Sequence, residues 1–121
     1  PIYANGFSNI SSRLTKTNVL SMDETEAEKL LDLDVVTFDY IEEFGGQQNQ
    51  RGLIAEDVLN IIPSCVTVPD DYDEAAFNPE KGLANELLGI DYSKLVPYLV
   101  KMVQIQQKQI DKLLSTQQKG E

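Results

Sequence analysis

Ile90-Asp91-Tyr92-Ser93-Lys94-Leu95-Val96-Pro97-Tyr98-Leu99 opens a stretch that runs on to Gln118 and decides the architecture. From Val96 the apolar residues step by three and four: Val96, Leu99, Val103, Ile110 and Leu113, with Gln106 and Gln117 completing the line. That spacing is a heptad seam, and its neighbours are Lys, Gln, Asp and Ser. A helix of this length with so narrow a stripe has no way to bury itself in a chain of 121 residues. It calls for copies of itself. Val or Ile at one seam position with Leu at the other leans toward two strands, so the pattern alone does not choose the number of copies. Truncating one buried seam residue to Ala should cost roughly 2–5 kcal/mol per chain. Gln106 and Gln117 sacrifice stability in the seam and could fix register.

Working outward, Leu87-Leu88-Gly89-Ile90 reads as a strand that feeds the helix, and Pro97 falls in its first turns, where a missing N–H does least harm. Ser21-Met22-Asp23-Glu24 has the form of a capping box, followed by a short amphipathic helix to about Leu33 with Ala27, Leu30 and Leu31 inward. Val36, Phe38 and Tyr40 alternate with Thr37 and Asp39 as a half-buried strand, and Gly45-Gly46 lies in the polar turn after it. Gly52 to Pro63 begins as a strand and becomes a helix that the proline stops. Val66-Thr67-Val68 is a further strand. Gly52 has the look of a residue that permits close strand packing, though a plain turn or bulge glycine fits equally. These elements predict an α+β fold, a small mixed head followed by one long C-terminal helix. The expected division is residues 1–10 as the end of a preceding segment, 11–92 as the head and 93–121 as the assembly helix.

Composition narrows the function classes. Ten basic against twenty acidic residues give a net charge of −10, which argues against nucleic-acid or anionic-membrane partners. No apolar run approaches membrane-spanning length, and no signal peptide opens the chain. With no histidine and a single cysteine, Ser-His-Asp, Cys-His and zinc-cage chemistry are out, and no metal or cofactor is expected. No glycine-rich phosphate loop is present. Cys65, in Ser64-Cys65-Val66-Thr67-Val68, reads as a small buried hydrophobe on a strand. Asp70-Asp71-Tyr72-Asp73-Glu74 reads as a solvated acidic loop, without the spacing of a calcium loop. If the chain performs covalent chemistry, the pair left to it is a hydroxyl and a lysine. Residues 1–20, with Arg13 and Lys16 and no acid, form a basic island.

Three blocks carry a family resemblance. Ser11-Ser12-Arg13-Leu14-Thr15-Lys16-Thr17-Asn18-Val19 resembles an opening motif of serine, acid, then Arg and Lys, although Ser12 stands where the acid usually is. Gly52-Leu53-Ile54-Ala55-Glu56-Asp57-Val58 resembles a central Gly-Phe-Ile-Ala-Gln-Glu-Val block, and Ile90 to Pro97 resembles Val-Asp-Tyr-Ser-Lys-Leu-Ile-Pro. Together they resemble the C-terminal intramolecular chaperone of endosialidases and phage tail spikes, a self-cleaving serine peptidase family.

The resemblance implies a homotrimer at the end of a fibre, spike or neck-appendage precursor, formed in the host cytoplasm during virion assembly. The domain would bring three chains into register, assist the folding of the upstream segment and then be released from it. The matching catalytic residues are Ser11 and Lys16, and the matching cut falls at the serine, with the Ser11–Ser12 bond preferred. An N-to-O acyl shift from the Ile10 carbonyl remains the other assignment. A serine needs a base, and a lysine serves as one only where desolvation or a nearby cation disfavours its charge. Arg13 is placed to supply that cation, or with backbone N–H groups to support an oxyanion. Two other functions stay in view: a non-catalytic oligomerisation domain retained on the mature fibre, and an adaptor that uses the acidic loop to bind a basic partner.

Overall fold

The computed structural model describes residues 9–70, 72 and 87–119. The expected acidic loop lies outside them apart from Asp70 and Tyr72, as does most of the expected upstream tail. In chain order the head contains α1 (Glu24–Glu28), β1 (Val36–Phe38), β2 (Gln50–Gly52), α2 (Ala55–Ile61), β3 (Val66–Thr67) and β4 (Gly89–Ile90), and α3 (Val96–Lys119) follows. The fold is α+β with a long terminal helix.

The strands form two separate antiparallel pairs. In the first, Val36 faces Gly52 and Phe38 faces Gln50; in the second, Val66 faces Ile90. Val36 and Phe38 are half-buried and Thr37 is exposed, as their alternation predicts. The chain between β1 and β2 is closed by polar contacts. Asp39 Oδ1 accepts the Asn49 N–H at 2.8 Å, while Gly45 and Gly46 take positive φ of 102° and 65° that a side chain would strain.

Three local expectations shift. The cap of α1 is Asp23, whose carboxylate accepts the Thr25 N–H at 3.2 Å, so the helix starts later than a Ser21 cap would start it. Asp is as good a cap as Ser, and the tertiary fit of Ala27 selects between them. After Glu28 the helix tightens into a 3-10 turn, Lys29–Asp32, which leaves Leu31 62% exposed while Ala27 and Leu30 face inward. Cys65 ends the 3-10 turn Pro63–Cys65 just before β3, where it is fully buried.

The core has two parts, and α3 closes both. Val58, Ile62 and Cys65 pack with Leu95 and Tyr98; Ala27 packs with Met102 and Ile105. Met22 and Leu30 touch both clusters and join them. The first half of α3 is therefore part of the head, held by Leu95, Tyr98, Met102 and Ile105. These four repeat at intervals of three and four like the seam, displaced around the helix from it. At the rim, Tyr98 donates its hydroxyl to Glu26 Oε1 at 2.5 Å, and Lys29 pairs with the other carboxylate oxygen at 2.8 Å.

The two sequence blocks that sit either side of the head meet at one point. Asp91 caps the turn into α3 by accepting the Ser93 N–H at 3.1 Å, and its own N–H donates to the Cys65 carbonyl at 2.8 Å. The next residue, Tyr92, accepts the Leu53 N–H on its hydroxyl at 3.1 Å. That approach crosses Gly52, where a Cβ would stand 2.8 Å from the Tyr92 hydroxyl and 3.4 Å from the Phe38 ring. Close packing is the reason for this glycine.

Two measurements follow from this packing. Gly52→Ala should push the Tyr92 hydroxyl off Leu53 and destabilise the head by about 1–3 kcal/mol in urea unfolding, and most of that cost should vanish in a Tyr92→Phe background. Lys29 first, then the Tyr98 hydroxyl, hold the Glu26 carboxyl below its ordinary range. A carboxyl lowered on folding contributes stability above its unfolded value and loses it as pH falls through the folded one. Melting temperature should therefore decline on acidification below about pH 4.5, and more shallowly in Tyr98→Phe than in the wild type.

Candidate active site and assembly face

The basic island folds into a small hydrogen-bonded unit. Ser12 Oγ accepts the Leu14 N–H at 3.1 Å and caps the 3-10 turn Arg13–Thr15. The Ser12 carbonyl accepts both the Thr15 N–H at 3.0 Å and the Thr15 hydroxyl at 2.7 Å, and the Arg13 carbonyl accepts the Lys16 N–H at 3.1 Å. This turn folds Lys16 back over the residue that precedes it. Lys16 Nζ then donates to Ser11 Oγ at 2.6 Å. Ser and Asp are equivalent helix caps, so Ser12 can do what an acid at that position would do for the Leu14 N–H.

The structure thus brings Ser11 and Lys16 into direct contact across five residues. Arg13 lies on the same turn but is exposed, and its guanidinium finds no partner among the described residues. Ser11, Ser12, Arg13 and Lys16 are all exposed. Among the described residues no group of three carboxylates or cysteines is arranged to hold a metal.

Chemically, a hydroxyl and an amine 2.6 Å apart have the geometry of a nucleophile and its base. In the ammonium form the nitrogen donates. Once it has given up a proton, its lone pair faces the serine O–H over the same distance.

Residues 11–67 match the family model for the chaperone of endosialidase, a Peptidase S74 family. Over this segment, just under half of the chain, the protein is similar to the endosialidase chaperone family. The match begins at Ser11, runs through the turn that holds Lys16, and includes Gly52 and the Val58, Ile62 and Cys65 side of the first core cluster, but not Leu95 or Tyr98. It supports a chaperone-type role, in a family named as a peptidase. No curated protein matches the chain.

An exposed apolar stripe runs along α3. Val96, Leu99, Val103, Ile110 and Leu113 are all about half exposed or more, and Val100 and Leu114 widen the stripe. Beyond Ile105 every described residue of α3 is exposed, so the last turns stand clear of the head. Among the described residues eight hydrophobic side chains are buried and nineteen large ones are exposed, an imbalance that marks surface meant to be covered. No helix is long and apolar enough to cross a membrane among the described residues.

Sequence reasoning missed four participants. Thr15, which closes the turn behind the serine, carries no signal beyond its Ser/Thr preference for such bonds. Tyr92 acts across thirty-nine residues and nothing local announces it. Val19 and Leu20, 55% and 88% exposed, continue the arm as apolar residues with nothing to pack on, and their hydropathy did mark them.

Proposed function

We propose that this chain is an intramolecular chaperone of a phage fibre-, spike- or neck-appendage-type protein, assembling as a homotrimer through α3 and then releasing itself by one self-cleavage at Ser11. The observation that carries it is the 2.6 Å contact between Lys16 Nζ and Ser11 Oγ at the start of the family-matched segment. The exposed seam supports the assembly half of the reading.

The cleavage step is an acyl transfer. Lys16 takes the proton of Ser11 Oγ, and the oxygen attacks a neighbouring carbonyl carbon. Attack on the serine's own carbonyl, which would cut Ser11–Ser12 directly, closes a strained four-membered ring. Attack on the Ile10 carbonyl closes a five-membered one, so ring size favours the Ile10–Ser11 bond. There the new C–O bond forms as the C–N bond breaks, and the proton returns to the Ser11 nitrogen. Water then hydrolyses the ester, leaving a carboxylate on Ile10 and a free amino group on Ser11. The developing oxyanion needs donors, and the free Arg13 guanidinium is the nearest candidate in sequence.

The exposure of Ser11 and Lys16 favours a second reading, in which the pair is idle and the domain stays on the mature fibre as an oligomerisation module. Intact mass separates the two. The chain joined to its upstream segment should split over time into two fragments meeting at Ser11. Ser11→Ala and Lys16→Ala should each slow this by at least about 100-fold, the usual contribution of a nucleophile's base. Cleavage at the normal rate in either variant overturns the dyad. Independently, Val103→Asp should lower the assembled mass in sedimentation while leaving the urea midpoint of the head little changed, since Val103 is 63% exposed in the single chain.

A further inference from the structure

The seam of α3 has two unlike flanks. On one, Leu30, Leu33, Val35 and Leu53 meet Leu95 and Leu99 around an apolar groove of about 360 Å³. On the other, Ser21 and Met22 approach the helix beside Val96, Pro97 and Val100, and there the arm 9–20 leaves the head. At 100° per residue the seam lies between these flanks, so a chain's arm departs on the far side from its own groove.

We propose that the arm of one copy packs into this groove on the next copy, with Val19 and Leu20 as its apolar anchors. The proposal rests on the reading that α3 joins copies side by side and parallel. In the three-fold assembly proposed above each copy turns unlike flanks to its two neighbours, so the departure point of one arm faces the groove of the adjacent copy. Both surfaces are apolar and uncovered: Leu20 is 88% exposed and Val35, at the lip of the groove, 75%. Their charges also match. The arm carries Arg13 and Lys16 and no acid, whereas the groove's lip interleaves exposed Asp32 and Asp34 with Leu33 and Val35. The occupant is a second copy, and the contact would hold the Ser11–Lys16 turn against a neighbour.

Cysteine cross-linking in the full chain tests this. A copy with Leu20→Cys and one tag is co-expressed with a copy carrying Val35→Cys and a second tag, then treated with a short bismaleimide. Cys65 is fully buried and stays out of the reaction. A product of doubled mass that carries both tags is expected. Val103→Cys, on the seam, is treated in parallel. If Val103→Cys links between copies and the Leu20–Val35 pair does not, the arm contact is overturned and assembly through α3 stands. If neither links and sedimentation shows one chain, both readings fall.

Discussion

Everything in this head depends on one face of α3. Val58, Ile62 and Cys65 would have no lid without Leu95 and Tyr98, and Ala27 would have nothing to meet without Met102 and Ile105. Two short strand pairs and two short helices cannot enclose a core by themselves, because elements this small bury too little apolar surface to offset the entropy of ordering them. The helix supplies the missing wall. Because that wall continues well past the head, folding of the domain and presentation of the exposed stripe on α3 are one event.

The polar contacts around this wall select its position rather than create it. Tyr98 reaches Glu26 at the edge of the packed face, and Tyr92 reaches the backbone of Leu53 over a glycine. Each bond links α3, or the turn before it, to a different part of the head. A helix slid by one turn would lose both, and would carry the wrong apolar residues toward Ala27. The Gly52-Leu53 stretch and the Asp91-Tyr92-Ser93-Lys94 stretch thereby turn out to be two sides of one joint.

Much of this was legible in the chain. The seam from Val96 to Leu113 declared itself by its period, β1 by its alternation, and the turn at Gly45-Gly46 by its composition. The head-facing stripe of Leu95, Tyr98, Met102 and Ile105 was harder to see. It has the same period as the seam and sits beside it, so one broad apolar band looks like a single narrow one with outliers. The cap of α1 was misplaced because Ser21 and Asp23 are chemically equivalent there and only the burial of Ala27 decides. Of the candidate site, the five-residue spacing from Ser11 to Lys16 was plain and took its meaning from the family resemblance. The bonds through Ser12 and Thr15 that bend the chain back are set by backbone geometry, which residue types suggest only loosely.

The arm over 9–20 contributes no buried residue to the head. Among the described residues, the core of the head is thus built without this arm. A substitution within the arm places no new demand on Ala27, Ile62 or Tyr98. Such a module can be transplanted. Recombination could join it behind unrelated proteins, each new fusion inheriting the same assembly helix and the same serine–lysine turn without any need to repack its interior.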